Sequence, residues 1–251
     1  MPKACHLLGL PAVEVPTTPT GQIDYTDLTR KAARHRSRPA IVVATIGTTM
    51  TEAVDDVAHV HNALDAAGIR HRYVHSDAAL AGVPLATTAD RPAFDLADGA
   101  DSISVSGHKF FGTTVVCGIV LSRRRPEELG PAVPYLNTHD TTISGSRNGI
   151  AAAMLWHAVT SLGKAGHAER AYRARELAAY AVQRLHTIGW PAWRNPLSFT
   201  VMLKRLPGEL AAIWPLPTHG DWSHVVCMPG VETSHIDRLV DALAASGNNP
   251  D

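Results

Sequence analysis

No stretch of this sequence approaches the about 20 consecutive apolar residues that a membrane-spanning helix requires, and no repeat or low-complexity tract interrupts it. Charge of one sign is not in excess either: 23 Lys and Arg balance 23 Asp and Glu, for a formal net charge of 0. A nucleic-acid binder should show a positive surplus, so that class is set aside. Cysteine is scarce. Cys5, Cys117 and Cys227 are odd in number and form no C-x-x-C pair, which speaks against a disulfide framework and for a reducing, cytoplasmic compartment. Lys3 to Val15 faintly imitates a signal peptide, but Pro11 and Glu14 break its apolar run, and secretion is not expected.

What the chain does have is apolar content, 45% of 251 residues, enough to bury a sizeable core and to argue against disorder. Its 14 histidines scatter without metal-ligand spacing. His59, His61, His71 and His75 come closest, but they span an expected helix and an expected strand, so a zinc site is not expected.

The apolar pattern reads as an α/β sheet. Ala40–Thr45 (AIVVAT) is a continuous β-branched run, the texture of a strand buried on both faces. Gly47-Thr48-Thr49 punctuates it. A helix is expected from Thr51, with Val57, Val60, Leu64 and Ala67 on one face, Thr49 or Thr51 as cap and Gly68 as stop; Glu52, Asp55 and Asp56 would suit its positive end. Arg72–His75 reads as a strand ending at Asp77, followed by a small-residue turn from Ala78 to Gly82. Ser102–Val105 reads as the next strand, and Thr114–Leu121 as a third apolar run before Arg123, Arg124 and Arg125. Strand, helix, strand, connector, strand is the rhythm of a largely parallel sheet.

Beyond Ser144-Gly145-Ser146-Arg147-Asn148-Gly149 the texture changes. Ala151 to Leu185 is alanine-rich and helix-forming, with interruptions near Gly163 and Gly166. Short strand-like pieces follow at Ser198–Leu203 and His224–Met228, and a helix over His235–Ala245 closes the chain. Two domains are expected, 1–165 and 166–251, the second a small α+β unit.

Three polar features fall at the ends of successive expected strands: Thr48-Thr49, Asp77 and Ser106-Gly107-His108-Lys109. The carboxyl ends of strands line the ligand crevice of an open α/β sheet, so these groups can converge. A lysine amine there can form a Schiff base with the aldehyde of pyridoxal phosphate. A carboxylate against the pyridine nitrogen keeps it protonated and makes the ring an electron sink. Taken alone, a lysine in a glycine-flanked loop is usually a solvated charge, and an aspartate after a strand is usually a turn former.

The combined wording carries more. His75-Ser76-Asp77-Ala78-Ala79-Leu80-Ala81-Gly82 followed by Ser104-Val105-Ser106-Gly107-His108-Lys109-Phe110 resembles the group II pyridoxal-phosphate decarboxylases, with their Asp-Ala-Ala segment and His-Lys pair. Gly21-Gln22-Ile23-Asp24-Tyr25, Ile46-Gly47-Thr48-Thr49, Cys117-Gly118-Ile119-Val120, Ser144–Gly149 and Ala192-Trp193-Arg194-Asn195 fall in the order of the bacterial histidine decarboxylase branch. The resemblance runs over nearly the whole chain. It implies a fold-type I, transferase-like architecture, here the C-terminal part of a cofactor-binding large domain plus a small C-terminal domain. It implies pyridoxal 5'-phosphate as cofactor, an amino-acid substrate (L-histidine, giving histamine, ahead of serine, aspartate or an aromatic amino acid) and a homodimer. By the same resemblance Lys109 would hold the cofactor covalently and Asp77 would pair with the ring nitrogen. Ala79 would pack beneath the ring, Thr49 near its O3′ edge or the substrate carboxylate, and Ser106 and His108 against the phosphate. Ser144–Gly149 would lie close to an active site or serve as a conformationally special turn.

The resemblance also implies that family chains begin upstream of Met1, with the ring-stacking histidine, a phosphate-cradling loop and a subunit-joining segment there. His6 does not match that histidine in context. An incomplete piece of a longer chain is the favoured expectation, a truncated and catalytically silent homologue the other. Ser76 and Thr114-Val115-Val116 depart from the family pattern without removing a catalytic group, and the proline-rich Leu206–Asp221 matches it poorly, a change that would alter substrate choice or decorate the surface.

Overall fold

The computed structural model describes residues 2–124, 130–140 and 145–247. A short helix, α1 (Pro2–Leu7), precedes α2 (Tyr25–Ala33), whose cap Asp24 accepts the Asp27 N–H. The expected AIVVAT strand is β1 (Ala40–Thr45). It is followed by α3 (Val57–Ala66), β2 (Arg72–Asp77), α4 (Gly82–Ala86), β3 (Ser102–Ser106) and β4 (Gly118–Ser122). These strands form one sheet in the order β1-β2-β3-β4; β1, β2 and β3 run parallel and β4 returns antiparallel. A small hairpin, β5 (Ala132–Val133) with β6 (Thr138–His139), lies beyond it.

One face of the sheet presents Ala44, Val74, Ser76 and Ile103 to a core shared with Leu28, Val57, Val60, Leu64 and Phe94. Register assigns Ile41, Tyr73, His75, Asp77 and Val120 to the other face, because side chains alternate and laterally paired residues point the same way. The expectation that β1 is buried on both sides does not hold: Ile41 is 65% exposed. β1 is an edge strand of this sheet. Its unbroken apolar run gives the strand, while its surroundings decide the burial.

The helix expected from Thr51 starts six positions later, and the acidic residues explain why. Residues 47–53 close a turn in which the Gly47 and Thr48 N–H groups both donate to Ala53 O at 3.0 Å and the Glu52 N–H donates to Thr48 O at 2.8 Å. Glu52 has φ +51, incompatible with a helix. The Asp55 carboxylate takes the Ile23 N–H at 2.8 Å and the Thr45 N–H at 2.7 Å. Only Asp56 serves the helix, capping it through the His59 N–H. Gly68, at φ +77 just past the C-cap, ends it as the sequence suggests.

The strand expected over Thr114–Leu121 is confined to β4. The Gly107 N–H donates to Cys117 O and the Thr113 N–H to Gly107 O, both at 3.0 Å. Residues 113–117 are therefore folded back on the Gly107 turn and are not available to a ladder. Of the basic run that follows, Arg123 donates to Ala100 O, whereas Arg125 lies outside the described residues.

The alanine-rich stretch is a 39-residue helix, α5 (Gly149–Thr187), capped by the Asn148 side chain and kinked at Gly163 (φ 58, ψ −173). Gly166 stays helical. Past the kink Ala171, Ala174, Ala178, Ala181 and Leu185 form a buried stripe of helical spacing. It packs on a second, antiparallel sheet formed by β7 (Ala192–Trp193), β8 (Thr200–Lys204), β9 (Thr218–His219) and β10 (Trp222–Val226), with α6 (Gly208–Ile213) between β8 and β9. The strand order is β7-β8-β10-β9. α7 (Thr233–Ala245), two residues longer at its start than expected, adds Ile236, Leu239, Val240 and Leu243 to this second core.

Asp55 is the buried stitch between the α2 approach and β1. Replacing it with Ala strands two buried N–H groups, each costing about 1–3 kcal/mol. Urea denaturation should show Asp55→Ala less stable by roughly 2–4 kcal/mol, with Asp55→Asn, which keeps one acceptor oxygen, losing less.

Candidate cofactor site at the strand tips

Backbone hydrogen bonds draw three loops together at the carboxyl ends of β1, β2 and β3. The Ile46 N–H donates to Asp77 O (2.8 Å), the Ala78 N–H to Ser104 O (2.8 Å), and the Ser106 and Ala81 N–H groups to Ala79 O and Ile46 O (3.4 Å each). Asp77 is in register with Thr45 on one side and Ser104 on the other. The sequence features Thr48-Thr49, Asp77-Ala78-Ala79 and Ser106–Lys109 thus share one end of one sheet, as their spacing suggests. Small residues allow this closeness. A Cβ on Gly47 would come within 2.8 Å of the Ala81 Cβ, and one on Gly82 within 2.7 Å of the Ala78 Cβ.

Asp77 is half-buried, and among the described residues its carboxylate accepts one hydrogen bond, a 3.3 Å contact from the Ala79 N–H to Oδ1. Lys109 is half-buried in the turn after β3; its carbonyl accepts the Gly112 N–H at 2.9 Å, and its amine has no ionic or hydrogen-bonding partner among the described residues. Ser106 and Ala79 are partly buried beside one another, and His108 is exposed with Nδ1 3.2 Å from Cys117 O. Thr49 is exposed at the crest of the 47–53 turn. Its neighbour Thr48 is used structurally, the hydroxyl accepting the Ala53 N–H at 3.0 Å and meeting the Thr51 hydroxyl at 2.9 Å.

His75 shares the Asp77 face and bridges β3, Nδ1 to Ser102 Oγ at 2.7 Å and Nε2 to Ser104 Oγ at 3.0 Å. Burial holds its pKa below the ordinary histidine value, against the pull of the Asp77 charge. The four histidines weighed as zinc ligands go separate ways: His59 to Asp56, His61 to Gly99 O, His75 to the serines, and His71 to the surface. Arg147, Asn148 and Gly149 line a cavity of about 440 Å³ with Cys117 and Gly118, so this segment lies next to the residues that contact His108. Ser144 is outside the described residues.

Residues to which the sequence assigned no role at the site also tie its loops to the second core. Phe110, directly after Lys109, is fully buried in the second core with its ring 5.6 Å from that of Phe199. Glu52, 2% exposed, accepts from the Ser198 hydroxyl and the Phe199 N–H at 3.0 and 3.1 Å. Local pattern gave no signal for Glu52; the buried Phe after His-Lys was legible only as an apolar residue.

The donor set suits a flat aldehyde cofactor with a ring nitrogen. A carboxylate-bearing and an amine-bearing residue, neither with an ionic partner among the described residues, stand at the same end of the sheet, where alanine and glycine let the loops approach closely. Comparison with known proteins agrees with that chemistry. The model of the pyridoxal-dependent decarboxylase conserved domain matches residues 1–189. A histidine decarboxylase of Mesorhizobium japonicum is 42% identical over 243 residues, 96% of this chain and 66% of its own length. That of Morganella morganii is 39% identical over 253 residues, 98% and 66% of the two chains. The chain therefore spans just under two thirds of these curated relatives. Among solved structures, the L-methionine decarboxylase from Streptomyces sp.590 superposes with a TM-score of 0.77 at 26% identity, over 95% of this chain and 62% of that one. Mouse CSAD shares the fold with a TM-score of 0.81 at 20% identity, over 99% and 61%. From residues 1 to 189 and in its fold-type I architecture, the chain belongs to the pyridoxal-dependent decarboxylase family.

Proposed function

We propose that this chain forms the lysine-bearing part of a pyridoxal-phosphate-dependent decarboxylase that converts L-histidine to histamine and carbon dioxide. The observation that carries the substrate is the 42% identity with a histidine decarboxylase across 96% of the chain. The cofactor, when bound, supplies the electron sink that accepts the electron pair left on the substrate α-carbon as carbon dioxide departs.

The chain's own groups then have distinct tasks. Lys109 holds the cofactor aldehyde through its amine. Asp77 faces the ring nitrogen and keeps its proton in place, a role supported by a carboxylate left almost unbonded in the structure. Ala79 offers a flat methyl surface beneath the ring, where a larger side chain would lift it. Ser106 and His108 donate to the phosphate, and Thr49 lies at the O3′ edge or the substrate carboxylate. Arg147–Gly149 approach the same region or that of a partner subunit. The reading includes a boundary near residue 165, beside the Gly163 kink in α5, with 1–165 carrying the cofactor groups and 166–251 as the small domain. It also includes a homodimer and a cytoplasmic location, the latter supported by three free cysteines.

Purified protein incubated with pyridoxal phosphate should develop a visible absorption band that borohydride bleaches, leaving the reduced cofactor on the peptide that contains Lys109. Lys109→Ala should acquire no such adduct; a reducible adduct in that variant would reassign the lysine. Asp77→Asn should still take up cofactor but lose decarboxylation by about two to three orders of magnitude, the scale of removing one preorganised electrostatic partner. Product analysis with histidine should give histamine. Turnover of serine in its place would move the chain to a different substrate within the family.

A further inference from the structure

The turn that carries Thr48 and Thr49 is also tied to the C-terminal part of the chain. The Asn195 side chain donates to Thr51 O at 2.8 Å and to Thr20 O at 3.0 Å. The Met50 sulfur lies 3.2 Å from His224 Nδ1 on β10. Between these contacts Glu52 reaches the corner where β8 begins and accepts from the Ser198 hydroxyl and the Phe199 N–H. That corner is itself braced: the Arg175 Nε donates to Leu197 O and the Arg194 Nη1 to Ser198 O, both at 2.8 Å.

Phe199 connects this corner to a second loop of the site. Its N–H binds Glu52, and its ring packs on Phe110, the residue that follows Lys109. Both phenylalanine side chains are fully buried. A single residue just ahead of β8 therefore touches the 47–53 turn through its backbone and the Lys109 turn through its ring. We infer that Glu52 is a positioning residue, which through the Ser198–Phe199 corner fixes the turn bearing Thr48 and Thr49 relative to the turn bearing Lys109. This inference rests on reading the strand tips as the cofactor site.

The backbone supports the assignment. Glu52 and Leu197, neither of them glycine, adopt left-handed φ of 51° and 63° on the two sides of this contact. Such conformations persist where surrounding contacts over-determine them. Arg175 on α5 and the buried thiol of Cys227 both sense the Glu52 charge, and Arg194 after β7 acts on the same two groups. Burial, partly offset by the Ser198, Phe199 and Thr200 hydrogen bonds, raises the Glu52 pKa from 4.5 to about 7. A folded-state pKa raised above the unfolded value gives stability that is complete below the unfolded pKa and is lost as pH rises through the folded one. The contact should therefore loosen progressively between about pH 4.5 and about pH 7.

Hydrogen–deuterium exchange on the protein without added cofactor tests this. Three proteins are compared at both ends of that pH window: wild type, Glu52→Gln, which keeps an acceptor but cannot titrate, and Glu52→Gly, which relieves the left-handed strain but has no acceptor. Expected in Glu52→Gly is at least about tenfold faster exchange in residues 47–54 and also in 107–112, with α3 and α7 still protected. In wild type, protection in both loops falls from the acid to the alkaline end of the window; in Glu52→Gln it does not. Loosening confined to 47–54 would make Glu52 a local brace and overturn the inference. So would uniform loss of protection across α3 and α7 in both variants, no change in either variant, or an unchanged pH step in Glu52→Gln. Because no cofactor is present, failure here leaves the borohydride result untouched, and failure there leaves this one untouched.

Discussion

Parallel pairing at the tips of β1, β2 and β3 is the constraint on which the rest of the site depends. Asp77 is locked in register with Thr45 and Ser104, and the chain on either side continues the pairing to Ile46 and Ser106. Side chains alternate strictly along a strand, so a one-residue slip of β2 would exchange its faces. Asp77 would then point into the core now occupied by Val74 and Ser76, against Phe94. The buried identities of Ala44, Val74 and Ile103 on the opposite face prevent that slip, because moving them outward would forfeit the core. The apolar side of the sheet thereby fixes the direction of the one acid on its polar side.

The second constraint comes from outside that sheet. The 47–53 turn and the Lys109 turn each end on the C-terminal core, one through hydrogen bonds to Asn195, Ser198 and Phe199, the other through Phe110. Two left-handed non-glycine residues flank the contact, each costing about 1–3 kcal/mol, a cost the surrounding hydrogen bonds must offset. α5 carries both parts of the arrangement. Its kink at Gly163 lets the half beyond it lay an alanine stripe under the antiparallel sheet while Arg175, from the same half, reaches back to Leu197 and Thr88.

How much of this could be read from the sequence depends on whether the deciding interaction is local. β1, β2, β3 and α5 were legible because β-branched runs and alanine-rich periodicity act within the element itself. The small residues at Gly47, Ala78, Ala79 and Gly82 were legible as turns, and they do let the loops approach. Among the acids two readings failed and one held. Glu52, Asp55 and Asp56 look alike as acids ahead of an amphipathic helix, but distant partners take the first two, Phe199 for Glu52 and Ile23 together with Thr45 for Asp55, while Asp56 keeps the local cap on His59. The apolar run at Thr114–Leu121 failed similarly, captured by the Gly107 turn. The exposure of Ile41 was not legible at all, since a strand's composition does not say what packs on its second face.

Hydrogen-bond accounting among the acids gives an argument for the site that is independent of any likeness to known proteins. Asp55 accepts two backbone N–H groups, Asp101 takes the Val74 N–H at 2.8 Å, and Asp98 takes those of Phe94 and Asp95 together with Arg91. These bonds hold Asp98 down at a pKa of about 2 despite the opposing effect of burial. Glu52, the most buried of the set, still finds a hydroxyl and an amide. Partly buried carboxylates are normally satisfied in this way, because an unmet acceptor costs about 1–3 kcal/mol and more when charged. Asp77 breaks the pattern: among the described residues its carboxylate has a single 3.3 Å contact, from its own turn. It also lies at the sheet end where Lys109 too lacks an ionic partner among the described residues. An acid and an amine without ionic partners among the described residues at the same strand tips, beside loop acids that are hydrogen-bonded, fit a site whose remaining bonds are made to a ligand.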